Sequence, residues 1–388
     1  FNQDLEGFAV DLYKQFTIGS TTHDLVYGFE SEEASYSRPK DRYETNLITG
    51  EINRVFFGPE IFPNKAFPDS EVVREAFYFS DRITLSPKTI FVLGLRHDNF
   101  EQKAIEDALS AAGNPANHPV LPREDSETSV KFGVIQDLTD TVSFFTQFAQ
   151  GYRNPDFTDA YNTYTNYAYG YTIIPNPDIT AETSEGFEIG LRGSVSKTVW
   201  SLAYYKNDYK DFIAYEFLFP PIQGVLQVQY QNLGSVETDG VEFESKTMFS
   251  DNFSASIGLS MNNGKEDDSY LDSLSPDHAK IALSWISDNG KFRWNTSSTL
   301  MESSRSNLSP VCGRSGQCLP AQAAPGRVTL DTYLSFDITP KLNFKFGVRN
   351  LTNVKYWDYP TIAGQAAGTA DEYLMPGTNT NFSVRYSL

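Results

Sequence analysis

Runs that alternate apolar and polar residues, joined by connections that are in turn short and long, continue along the whole 388-residue chain. Side chains of a strand alternate faces with period two, whereas a helix returns to one face every three or four residues. In 342–349, Leu342, Phe344, Phe346 and Val348 oppose Asn343, Lys345, Gly347 and Arg349. In 381–388, Phe382, Val384, Tyr386 and Leu388 oppose Asn381, Ser383, Arg385 and Ser387. About fifteen such segments, each about 10–14 residues long, suit tilted membrane strands. They fall at 5–18, 22–33, 74–86, 89–103, 128–138, 141–151, 183–194, 197–211, 225–249, 253–263, 277–287, 291–302, 327–338, 342–354 and 376–388.

The connections are the stronger constraint. Short turns sit near 19–21, 86–88, 138–140, 195–196, 250–252, 288–290 and 339–341. Between them lie long segments near 34–73, 104–127, 152–182, 212–224, 264–276, 303–326 and 355–375. Strict alternation of this kind predicts an all-β, antiparallel transmembrane β-barrel of the outer-membrane type. A sandwich has shorter strands, and a propeller repeats a unit of about 40–50 residues, which the chain lacks. The mean hydropathy of −0.39 agrees with a barrel, because half of each strand faces a polar lumen. Bacterial single-chain barrels have even strand numbers. Fifteen strands, beginning at once, therefore predict a fragment, the C-terminal part of a larger barrel whose earlier strands are missing.

Composition excludes several functions. A net charge of −19 argues against nucleic acid, whose binders carry basic patches. Nucleophile elbows, phosphate loops and zinc-protease motifs are absent from the sequence, so an enzyme is not expected. Cys312 and Cys318 in CGRSGQC predict one small loop disulfide with Cα atoms about 4.4–6.8 Å apart. Tyr356, Trp357 and Tyr359 read as an interfacial aromatic girdle. In EDDSYLD (266–272), Asp267, Asp268 and Asp272 read as a solvated loop or a weak calcium site.

One aromatic cluster differs. Tyr161, Tyr164, Tyr167, Tyr169 and Tyr171 fall in YNTYTNYAYGY, inside the long segment 152–182. Phenol rings offer stacking faces and an oxygen that can bind ferric iron, or they pack the loop on itself. His118, in the loop 104–127, is the one imidazole placed to assist from another loop, or it is simply solvated.

Seven stretches, in order, resemble TonB-dependent outer-membrane receptors: HDLVYGFESE (23–32), REAFYFSDRITLSPKTIFVLGLRHDNF (74–100), FAQGYRNPDFTDAY (148–161), IPNPDITAETSEGFEIGLRG (174–193), QNLGSVETDGVEFE (231–244), GVRNLTNVKYWDY (347–359) and MPGTNTNFSVRYSL (375–388). Within the family, haem and haemoprotein receptors carry a Phe-Arg-Ala-Pro box and an Asn-Pro-x-Leu box around one extracellular loop. Here the boxes are similar: Tyr152-Arg153-Asn154-Pro155 and Asn176-Pro177-Asp178-Ile179. GPEIFPNKAFPDSE (58–71) is also similar to that subgroup. Two departures stand out: residues 156–175 contain no histidine, where those receptors place a haem ligand, and the chain ends in Leu388, where the family commonly has an aromatic. The resemblance implies a full barrel of about 22 strands, outer-membrane lipid as surroundings, and two parts missing from this chain: an N-terminal plug and a segment that engages the TonB energy-transducing complex. It implies no intrinsic cofactor, but haem as transported ligand, with a haemoprotein as partner. The second reading is a ferric siderophore as ligand; a passive porin is the reading of another class.

Overall fold

The computed structural model describes residues 1–54, 60–167, 170–222, 225–267, 269–304, 308–312 and 317–387. Fifteen long strands follow one another in chain order through one antiparallel sheet, with the short strand Ser269–Tyr270 attached as its sixteenth. They are β1 (Asn2–Ile18), β2 (Thr21–Ser37), β3 (Asp69–Ser86), β4 (Thr89–Ile105), β5 (Arg123–Asp137), β6 (Val142–Arg153), β7 (Glu182–Val195), β8 (Thr198–Lys210), β9 (Val236–Met248), β10 (Phe253–Glu266), β11 (His278–Ile286), β12 (Phe292–Met301), β13 (Arg327–Thr339), β14 (Leu342–Arg349) and β15 (Asn379–Tyr386). Among the described residues no helix is long and apolar enough to cross a membrane.

The chain divides into two compact units. The first comprises Phe1–Val134, Gln147–Gly186 and Asp208–Ser235, and the second Ile135–Thr146, Phe187–Asn207 and Val236–Leu388. In the first, register aligns Leu12, Tyr27, Phe79 and Leu95 in one apolar row across β1–β4, and all four are exposed. One residue over, Asp11, Gly28, Tyr78 and Arg96 form a polar row. There Tyr78 crosses Gly28 and donates its hydroxyl to Asp11 Oδ1 at 2.5 Å. The missing Cβ makes that crossing possible: a carbon at that position would lie 2.6 Å from the Tyr78 oxygen. In the second unit, Leu334, Phe346 and Phe382 form an apolar row beside Ser335, Lys345 and Ser383. Arg293 bonds Asp337 at 2.7 Å on that polar side. Period-two patterning thus becomes two chemically distinct faces.

Four expectations need correction. First, β2, β3 and β5 start earlier or end later than the alternation indicates, because polar residues such as Asp69–Glu71 continue the ladder beyond the apolar stretch. Second, 225–249 is two strands: Val225–Leu233 leaves the main sheet, and β9 begins only at Val236. Third, 212–224 is not a loop, since Phe212–Ile222 pairs antiparallel with Val225–Leu233. Fourth, β14 stops at Arg349 rather than 354. Asn350 and Asn353 take left-handed φ of 50° and 52°, which asparagine tolerates and a ladder does not. Val348, next to that turn, is only 8% exposed and does not join the exposed apolar row.

The long connections fold as well. In the second unit, Tyr359 is buried with Ala324, Ile362 and Ala370, and the Trp357 indole donates to Ala370 O at 2.7 Å. These rings build a loop core and not an aromatic girdle. Cys312 and Cys318 are disulfide-bonded across the hairpin Val311–Cys312/Cys318–Leu319, with Cα atoms 3.9 Å apart. Directly opposite residues of an antiparallel pair have Cα atoms about 4.5–5.5 Å apart, and this bonded pair is closer than that and closer than expected. Asp272 accepts the Ser309 N–H at 2.7 Å, and among the described residues no three acidic, His or Cys side chains gather as a metal site. Asp268, like Leu388, lies outside the described residues.

Candidate ligand-binding site

Four long connections of the first unit meet in one packed layer. Phe67, Ala160, Tyr161, Ile179 and Ile213 are buried together, with Ala104, Val120, Phe157 and Tyr230 against them. These residues come from 34–73, 104–127, 152–182 and 212–233, so each loop supplies apolar surface the others cover. A loop alone could not bury its backbone; here neighbouring loops supply the partners.

The two boxes hold the ends of 152–182. Arg153 donates Nε and Nη2 to Glu182 at 2.7 and 3.0 Å, and Nη1 to Asp159 at 3.0 Å. This planar fork spans the base of the loop, a geometry suited to arginine and not to lysine. Pro155 is fully buried. Asp156 then caps the short helix Phe157–Tyr161, its Oδ1 accepting the Thr158 and Asp159 N–H groups. At the other end, Asn176 donates to Tyr230 O at 2.7 Å and accepts the Asp178 N–H at 3.1 Å. Pro177 follows in that turn. Arg123 donates to Ile179 O at 2.7 Å, and Asn232 bonds both Thr180 and Asp211. Tyr152, the first residue of its box, is hydrogen-bonded to Asp98.

Between the boxes the tyrosines separate. Tyr161 is 1% exposed and donates its hydroxyl to Gln102 O at 3.1 Å. Burial pushes its phenol up to about 12. Tyr164 and Tyr171 stand together, with ring centroids 6.4 Å apart in an edge arrangement, and both are partly exposed. Lys40 reaches over Tyr164, its Nζ 4.4 Å from the ring centroid and 2.9 Å from Glu60. Tyr167 is also partly exposed. Burial, and then the Glu60 charge, hold the Tyr164 and Tyr167 phenols above the usual tyrosine range. Tyr169 lies outside the described residues. His118 lies two residues before Val120 of that layer: Asn114 bonds its backbone N–H and carbonyl, and burial lowers its imidazole below the ordinary range. A neutral imidazole is the form that binds metal.

Several participants carried no signal in the alternation pattern. Glu182 accepts both Arg153 and, at 2.6 Å, the Ile213 N–H. Lys40 and Glu60 come from the segment 34–73, far upstream of the tyrosines they meet. Phe212–Ile222 reads as a long connection in the sequence, since FIAYEFLFPPI is apolar on both faces and ends in two prolines, so neither the strand nor its place beside the tyrosine loop was legible. Tyr171–Ile174 pairs parallel with Val225–Leu233, whose other side pairs Phe212–Ile222.

A family model described as TonB-dependent receptor-like β-barrel matches residues 1–351. The chain belongs to the TonB-dependent receptor family. This barrel therefore resides in the bacterial outer membrane, spanning it with strands. Among curated relatives, the haemoglobin-haptoglobin utilization protein B of Neisseria meningitidis is 21% identical, over 98% of this chain and 52% of its own length. The haemoglobin and haemoglobin-haptoglobin-binding protein of Haemophilus ducreyi is 23% identical, over 68% of this chain and 34% of its own. The chain thus spans about a third to a half of these relatives. Among solved structures, the pyoverdine outer-membrane receptor FpvA of Pseudomonas aeruginosa superposes with a TM-score of 0.73 at 15% identity, covering all of this chain and 53% of that one. The copper transporter OprC gives 0.71 at 16% identity, covering all of this chain and 57% of that one. These likenesses establish the receptor-barrel fold.

Proposed function

We propose that this TonB-dependent receptor barrel serves active import of haem, taken from a haemoprotein and energised through the TonB complex. The observation that carries the reading is the loop 152–182. Arg153 and Asn176 pin it at both boxes, and it presents Tyr164 and Tyr171 as a partly exposed ring pair. Rings so held offer apolar faces to a flat macrocycle, and a phenolate could bind ferric iron axially. The haemoglobin-binding relatives support the same ligand. Tyr161 serves the layer's packing, so ligand contact falls to Tyr164, Tyr167 and Tyr171, with Tyr169 and His118 as further candidates.

A second reading has one observation in its favour. Residues 156–175 hold no histidine, and phenolate oxygen is also a suitable neighbour for a ferric siderophore.

The test is titration of haemin into the full-length receptor carrying Phe at 161, 164, 167, 169 or 171, or Ala at 118. Loss of at least about tenfold in affinity, or a changed absorption spectrum, is expected for Tyr164, Tyr167 or Tyr171. Unchanged affinity and spectrum in every variant removes these residues from the site. A wild type that ignores haemin but binds a ferric siderophore transfers the assignment to the second reading.

A further inference from the structure

The strand Phe212–Ile222 forms one edge of the four-stranded sheet that also contains Tyr171–Ile174, and among the described residues no strand pairs with its outer side. Its side chains carry an apolar row out of the loop core. Ile213 is buried in that core, Tyr215 contacts Tyr230 and Phe217, and Phe219 lies beyond. Tyr215, Phe217 and Phe219 are 60%, 47% and 75% exposed. The backbone is turned outward as well. Ile213 sends its N–H away from the neighbouring strand, to Glu182. Amides two and four residues on point the same way in an antiparallel ladder, so Tyr215 and Phe217 present theirs at the open edge. Exposed apolar edges invite pairing, and proteins usually blunt them with charge or proline. Pro220 and Pro221 do so at the far end, and the strand's one charge, the exposed Glu216, lies on the face opposite Tyr215 and Phe217.

We propose that Tyr215–Phe219 is a docking edge for a haem-carrying protein, which adds an extended segment to this strand and seats apolar side chains against its aromatic row. The proposal rests on the haem reading. Three features single out this occupant. The edge lies two strand spacings, about 10 Å, from the strand that begins at Tyr171, close enough for a docked carrier to present its cargo to the tyrosine loop. Exposed Tyr and Phe rings in a row are the composition of protein-binding hot spots. A net charge of −19 disfavours a second copy of this chain.

The experiment measures haemoglobin and haemin binding separately, on full-length receptor in detergent, for wild type, Phe217→Lys, Phe217→Pro and the double variant Tyr215→Ser/Phe217→Ser. Proline removes the outward amide, which an edge strand tolerates. Haemoglobin affinity should fall at least about tenfold, while haemin affinity stays within about twofold. Unheated electrophoretic mobility checks folding. Phe219→Lys, which lies outside the pairing register, replaces any variant that fails. Unchanged haemoglobin affinity overturns the docking edge. So does an equal loss of haemin binding, or a wild-type dimer that the variants abolish. A wild type that binds haemin but not haemoglobin overturns docking alone, whereas one that binds neither overturns the haem reading with it.

Discussion

Tyr161 and Tyr164 are three residues apart and chemically identical, yet their surroundings give them opposite tasks. Tyr161→Phe should cost the loop about 1 kcal/mol by leaving the Gln102 carbonyl without its donor, and Tyr161→Ala about 3–5 kcal/mol by opening a cavity. Both should appear as faster proteolysis within 152–182. The partly exposed tyrosines predict a pH dependence. Tyr164 and Tyr167 are protonated at neutral pH with phenols held above their usual range. Ligation of ferric iron by either must release a proton, so haemin affinity should fall as pH falls, by up to about tenfold per unit. A flat profile between pH 6 and 8, after correction for haemin's own titration, would leave stacking without ligation. The sequence exposed the tyrosine cluster but not this division, because Tyr161 is buried by Phe67 and Ile213, each at least 50 residues away in the chain.

At the scale of elements, motif residues acquire physical reasons. Gly240, in the stretch VETDGVEFE, lies under the ring of Tyr205: a carbon added there would sit 2.6 Å from the phenol oxygen and 2.5 Å from Met261 O. Gly28 stands in the same relation to Tyr78. Glycine here is a seat for a tyrosine from a neighbouring strand. Gly240→Val should therefore destabilise by about 1–3 kcal/mol, read as a lower melting temperature in detergent, and Tyr205→Ala in the same chain should recover part of it. Full independence of the two changes would contradict the seat. Strand existence was legible because period two survives wherever one face meets lipid. Strand ends were not, since polar ladders such as Asp69–Glu71 carry no apolar signal. The segment 225–249 misled because its two strands both alternate and only Gly234 and Ser235 separate them.

For the whole molecule, the two-faced rows predict an asymmetric response to charge. Leu95 lies in the exposed apolar row, and Ser80, two residues from Tyr78 on β3, shares the opposite, polar face. Leu95→Arg should cost about 2–4 kcal/mol in a bilayer, and Ser80→Lys close to nothing. Equal effects in lipid vesicles would mean the faces are assigned wrongly. The same rows bear on how such a chain travels. In the extended chain Phe29 and Phe77 are 48 positions apart, and only register brings their rings to 4.7 Å. The oily surface is consequently a property of the paired sheet and not of any segment. A bilayer met before folding finds no run long enough to arrest it, so the unfolded polypeptide can be passed through one membrane and become insoluble in water only on arrival at the next.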